Sequence, residues 1–286
     1  MIDYKRIGYR SAGGDLELFA RDYPGDGPPL LLMHGLTRNS ADFVPLAQHL
    51  AGRYRLIVPD QRGRGLSQND PDPANYRPDI YARDMFALLD MLGVERAALI
   101  GTSMGGLMAM IMAATRPEAV SAVVLNDIGP VLDPAGLARI AGYVGPSEPF
   151  ADWEEAAANC AAINRDAFPG FAEADWLAFA ARTCRQRADG RVEYAYDPAI
   201  AAGFADSGDT PQPDLWPLWE ALAGKPVLLL RGALSDLLSP ETAKEMERRH
   251  SGPFTLAEVP RRGHAPLLDE EAAIQAIKPF LKEYAA

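Results

Sequence analysis

Ser103 stands in the run Gly101-Thr102-Ser103-Met104-Gly105, preceded by the apolar segment Ala97 to Ile100 and followed by the Met-, Ala- and Ile-rich segment Leu107 to Ala114. The first segment reads as a buried strand and the second as a buried helix, so Ser103 falls on the turn between them. A G-x-S-x-G turn in that setting holds its serine in strained backbone and projects the hydroxyl outward, and small residues on either side let strand and helix approach. Ser103 is therefore the expected nucleophile. The bland alternative is a chance match to a five-residue pattern.

A serine hydroxyl needs a base. The chain offers four histidines, His34, His49, His250 and His264. His264 lies in the loop Val259-Pro260-Arg261-Arg262-Gly263-His264-Ala265-Pro266 after the apolar run Phe254 to Val259, where a ring can face a cleft, and it is the expected base. His250 ends a charged helix and reads as a solvated cation favoured by the helix dipole. His49 reads as structural, and His34 as a buttress of its loop. The third partner should be a carboxylate at a strand end, fixing the imidazole tautomer. Asp236, just beyond the apolar run Val227 to Leu230, is the expected acid, because the chain order serine, acid, histidine with the acid one strand before the base suits the elbow arrangement. Asp127, after the apolar run Val120 to Leu125, competes with it. Its bland reading is a turn residue before Gly129-Pro130. For the developing oxyanion, the expected donors are the backbone N–H of Met104, at a helix start, and that of Leu36, in the loop after Pro29 to Met33.

The elements that must hold these residues can be read from periodicity. Short, continuous apolar runs at Leu30 to Met33, Leu56 to Pro59, Ala97 to Ile100, Val120 to Leu125, Val227 to Leu230 and Phe254 to Val259 suit strands buried on both faces. Helical patterns lie between them, at Ser40 to Ala51, Ile80 to Leu92, Met104 to Arg116, Pro240 to His250 and Glu270 to Tyr284. Alternation of this kind predicts an α/β fold with a parallel sheet, and catalytic loops then gather at the carboxyl ends of the strands. Tyr4 to Ser11 and Leu16 to Asp22 read as an antiparallel edge hairpin.

The alternation stops between Leu132 and Trp219, a segment that holds all four tryptophans, Trp153, Trp176, Trp216 and Trp219. It reads as a helical lid, 132–219, inserted into a core formed by 1–131 and 220–286. Asp152 to Asn164 and Glu173 to Arg185 are its clearest helices, and Asp189-Gly190 suggests a tight turn. Trp153 and Trp176 are the expected substrate contacts in an apolar pocket; the bland reading is that they pack the lid onto the core.

His34-Gly35, Asp60-Gln61-Arg62-Gly63-Arg64-Gly65-Leu66-Ser67, the Ser103 elbow, Asp236 and Gly263-His264 together resemble the α/β-hydrolase superfamily, from about Tyr4 to Tyr284 and least clearly between Leu132 and Trp219. The resemblance implies a mostly parallel eight-stranded sheet flanked by helices, a Ser-Asp-His triad and an inserted lid. Serine at the elbow disfavours the haloalkane dehalogenases and epoxide hydrolases, which carry aspartate there. The expected activity is that of a cofactor-independent carboxylesterase using an acyl-enzyme. Lactonases, carbon–carbon bond hydrolases of ring-fission products and perhydrolases share the same groups, and some superfamily members only bind ligands.

Composition narrows the field. The 286 residues, 48% of them hydrophobic, can bury a large core, and the formal net charge of −11 disfavours nucleic acid or an anionic membrane surface as partner. No run approaches the roughly 20 apolar residues that span a bilayer, and the N-terminus has no signal-like apolar core, so the expected location is the cytoplasm. Cys160 and Cys184 are expected to be free thiols. No metal, dinucleotide or phosphate-loop pattern is present, so no cofactor is expected and the expected partner is a small ester or lactone. No heptad pattern indicates an oligomeric state.

Overall fold

The computed structural model describes residues 2–205 and 213–286; residues 206–212 of the expected lid lie outside the described residues. Strands are β1 Lys5–Arg10, β2 Glu17–Tyr23, β3 Pro29–Met33, β4 Arg55–Asp60, β5 Ala97–Thr102, β6 Val120–Asn126, β7 Cys184–Gln186, β8 Val192–Tyr194, β9 Val227–Gly232 and β10 Phe254–Val259. Helices are α1 Val44–Leu50, α2 Pro78–Met91, α3 Met104–Thr115, α4 Pro134–Ala141, α5 Trp153–Asn164, α6 Glu173–Thr183, α7 Ala202–Ala205, α8 Trp216–Glu220, α9 Pro240–Arg249 and α10 Glu271–Tyr284.

Eight strands form one sheet in the order β1-β2-β4-β3-β5-β6-β9-β10. The edge hairpin β1–β2 is antiparallel, β2 runs antiparallel to β4, and all remaining pairs are parallel. This is the expected α/β sheet, and the reason for the unbroken apolar runs is visible in the pleat. Leu31, Met33, Leu99 and Val123 join the core beneath α2 and α3, whereas Leu30, Leu32, Ile100 and Val124 join the opposite core beneath α1 and α10. Both faces are covered, so no polar alternation survives. Each such leucine taken fully out of water contributes about 1.5–3 kcal/mol before entropy is counted.

The chain leaves β3 toward β4 on one side and returns to β5 on the other, so strand order reverses between β3 and β5. Loops at the carboxyl ends of those two strands flank a crevice, the usual place for a ligand in an open α/β sheet. The helical pattern expected from Ser40 opens as a 3₁₀ turn, Ser40–Phe43, capped by the Asn39 side chain; the α-helix begins only at Val44. Pro45 in its first turn suits that start, since the missing N–H would have no intrahelical partner there.

Between β6 and β9 the chain leaves the sheet and builds α4, α5, α6 and the two-stranded hairpin β7–β8. The segment from Phe150 through α5, α6 and the hairpin has an apolar cluster of its own that includes Phe150, Phe168, Trp176 and Phe179, whereas Ile140 of α4 joins the core beneath α2 and α3. Among the described residues no helix is long and apolar enough to cross a membrane.

Candidate active site

The elbow positions Ser103 at the end of β5 with φ 53° and ψ −117°, a left-handed conformation that a side chain other than glycine's adopts only under constraint. The constraint is packing. A Cβ on Gly105 would stand 2.0 Å from the Met33 carbonyl oxygen, and one on Gly101 would stand 2.3 Å from that of Gly105. Only glycines let β3, β5 and α3 meet this closely.

Ser103 Oγ lies 2.8 Å from Nε2 of His264, although 161 residues separate them in sequence. His264 is 9% exposed and sits in the loop after β10, which is tied down by Gly263 N–H donating to the Ala167 carbonyl and by Asn126 Nδ2 donating to the Pro266 carbonyl. Nδ1 of His264 lies 2.9 Å from Oδ2 of Asp127. A carboxylate only accepts, so Nδ1 carries the proton and Nε2 is left to accept from the serine hydroxyl.

The carboxylate beside His264 is thus Asp127, and the expectation of Asp236 is corrected. Asp127 is wholly buried just past β6, with φ 57°. Its Oδ1 accepts from the Gly232 N–H at 2.8 Å, and its Oδ2 accepts from Ser235 Oγ at 2.6 Å as well as from His264. Asp236 lies at the end of the neighbouring strand, as expected, but its carboxylate turns to α4 and takes both arms of Arg139, at 2.5 and 2.9 Å. Partial burial would raise its pKa, yet the Arg139 guanidinium holds this carboxyl below its ordinary range. The residue that the β9 loop sends toward the histidine is Ser235, one position earlier.

His34 is fully buried, with Nδ1 2.7 Å from the Gly35 carbonyl and Nε2 accepting from the Gln61 N–H at 3.2 Å. Burial pushes its pKa down to about 3, so the ring is a neutral brace. Because carbonyl and N–H of a trans peptide point oppositely, holding the Gly35 carbonyl against His34 directs the Leu36 N–H away from it. A Cβ on Gly35 would touch Ser103 Cβ at 3.7 Å, which sets the distance scale. The Met104 N–H opens α3, where no intrahelical acceptor exists. Among the described residues neither N–H has a protein acceptor, and both residues line the cavity beside Ser103.

His250 differs from its expectation. It is half-buried, donates from Nε2 to the Lys225 carbonyl 2.8 Å away, and packs against Trp219 and Phe254; burial lowers its pKa, so it is not a solvated cation.

A cavity of about 330 Å³ opens over Ser103 and His264. Its floor is the elbow and the Leu36 loop; Ile140 of α4, Cys160 of α5 and Phe179 of α6 close it from above. Trp153 and Trp176 do not line it. Trp176 is buried among Phe168, Phe171 and Phe179, with ring centroids 5.0–6.1 Å away, and Trp153 packs against that same cluster. The indoles therefore hold the inserted helices together. Arg38, unremarked in the sequence, does line the cavity: it pairs with Asp42 and lies 3.9 Å over the Phe179 ring, while neighbouring Asn39 donates to the Arg182 carbonyl. These contacts fasten the Leu36 loop to α6. Cys160 and Cys184 are buried free thiols.

A family model described as the alpha/beta hydrolase fold matches residues 28–269. The chain belongs to that family. This α/β hydrolase is 38% identical over 266 residues to the 3-hydroxybutyrate-oligomer hydrolase of Cupriavidus necator, covering 90% of this chain and 88% of that protein. It is 32% identical over 260 residues to the 2-(acetamidomethylene)succinate hydrolase of Mesorhizobium japonicum, covering 90% and 89%. Among solved structures, an alpha/beta hydrolase from Novosphingobium aromaticivorans superposes with a TM-score of 0.92 at 44% identity over 99% of each chain. The family resemblance read from the motifs and the expected fold both stand.

Proposed function

We propose that this α/β hydrolase cleaves a carboxylic ester of a small molecule through an acyl-enzyme on Ser103. The observation that carries the reading is the continuous relay Ser103 Oγ to His264 Nε2 and His264 Nδ1 to Asp127 Oδ2, at 2.8 and 2.9 Å, on the floor of a largely apolar cavity. Oγ attacks the ester carbonyl carbon while its proton passes to Nε2; the buried Asp127 carboxylate stabilises the imidazolium without itself taking a proton. Charge gathers on the former carbonyl oxygen, where the Leu36 and Met104 N–H groups donate to it. Collapse expels the alcohol, which leaves with the proton from Nε2. Water then enters, gives a proton to Nε2 and attacks the acyl carbon, and Ser103 regains its proton as the acid departs.

Residues 132–219 act in this reading as a lid that shields the acyl-enzyme and shapes the pocket, since α4, α5 and α6 supply its upper wall. The relative that acts on 3-hydroxybutyrate oligomers makes short hydroxyacid esters the first substrates to assay; lactones come second.

Wild-type protein should be labelled at Ser103 by a fluorophosphonate and should turn over p-nitrophenyl esters, and Ser103→Ala should lose both. Ester turnover at the parental rate in Ser103→Ala would reject the proposal. A panel of 3-hydroxybutyrate dimer, simple esters and lactones then ranks substrates by kcat/KM.

A further inference from the structure

Arg64 is among the largest fully buried side chains, 1% exposed. Other deeply buried arginines are met by carboxylates, Arg62 by Asp70 and Asp84, for example. Among the described residues Arg64 has no carboxylate within salt-bridge distance. Its partners are all neutral: Nε donates to the Leu36 carbonyl at 2.9 Å, and Nη1 donates to the Arg62 carbonyl at 2.8 Å and to Tyr81 Oη at 2.9 Å. Nη2 lies 3.9 Å from Sδ of Met104, and the guanidinium stacks over the Tyr81 and Tyr76 rings at 4.8 and 5.4 Å. A buried cation without a counter-charge is costly, and it persists only where the surrounding structure enforces it.

Two of the groups it touches belong to Leu36 and Met104, the residues whose N–H groups face the anion. His34 fixes the peptide on the N-terminal side of the Leu36 Cα through the Gly35 carbonyl, and Arg64 fixes the peptide on the other side through the Leu36 carbonyl. The donor is thereby held from both flanks. The charge lies against the Leu36 peptide and the Met104 side chain in a medium of low dielectric, where its field reaches an oxyanion with little screening.

We infer that Arg64 is a positioning residue of the oxyanion hole: its guanidinium, met only by neutral partners among the described residues, locks the Leu36 donor and adds positive potential beside it. The inference rests on the serine-hydrolase reading above. Because the side chain does not line the cavity, it touches no substrate, and its effect falls on the transition state alone.

The test uses full-length Arg64→Met and Arg64→Lys with p-nitrophenyl butyrate as substrate and phenylboronic acid as a mimic of the anionic tetrahedral state. Arg64→Met is expected to lower kcat about 100-fold with KM within about threefold, and to weaken boronate inhibition in parallel. Arg64→Lys keeps the charge but not the Leu36 contact and should fall between, about tenfold below wild type. Wild-type kcat in folded Arg64→Met, a loss shared equally by kcat and KM, or a kcat loss with unchanged boronate inhibition would overturn the inference. If the methionine variant does not fold, the lysine variant decides by the same readouts. Wild-type protein that neither labels with fluorophosphonate nor hydrolyses the ester would reject the hydrolase reading instead.

Discussion

Asp127 and His264, 137 residues apart, meet at 2.9 Å with the carboxylate fully buried and the Gly232 N–H and Ser235 hydroxyl completing its coordination. Asp236, at the end of the adjacent strand, is spent on Arg139. The two acids therefore separate cleanly by mutation. Asp127→Asn should lower kcat for a p-nitrophenyl ester by about 10⁴, since the amide would favour the wrong imidazole tautomer. Asp236→Asn removes a half-exposed ion pair and should stay within about threefold in kcat, with a stability loss of about 1 kcal/mol or less. Steady-state kinetics on the pair would sink the assignment if the larger loss followed Asp236.

Trp176 is expected to matter for stability and little for selectivity. Its ring fills the space between Phe168, Phe171 and Phe179, so Trp176→Ala should cost about 3–5 kcal/mol in denaturant unfolding. The relative kcat/KM for acetyl, butyryl and hexanoyl esters should change by less than about threefold, because the indole does not face the cavity. A reordered chain-length preference at unchanged stability would restore the indole as a substrate contact.

His34 gives the protein an acid-sensitive element. Its folded ring resists protonation down to about pH 3, whereas an unfolded histidine takes a proton near 6.5. Between those values the unfolded state binds more protons, so stability is intact above pH 6.5 and declines toward pH 3, by about 1.4 kcal/mol per pH unit from this group. His34→Gln should be less stable at pH 7 but should lose stability less steeply on going to pH 5. Urea unfolding of both proteins at pH 7, 6 and 5 measures this, and parallel slopes would contradict it.

The sheet was legible in the residue pattern, because strands buried on both faces must be apolar throughout and helices between them must be periodic. So were Ser103, whose glycine-flanked turn is a local demand of backbone packing, and His264, the histidine set in an irregular loop after a strand. Choosing between Asp127 and Asp236 required the folded chain. Both follow an apolar strand, and nothing local distinguishes them; the choice depends on Arg139 arriving from α4 to take one and on Ser235 and the Gly232 N–H steadying the other. The tryptophans show the same limit, since an indole's burial among phenylalanines or over a pocket is a matter of how helices cross, which one-dimensional spacing does not carry. Arg64 was equally invisible: in the sequence it is one charge in a glycine-rich loop, and its meaning comes from the neutral partners that, among the described residues, meet it once that loop folds against Leu36 and Tyr81.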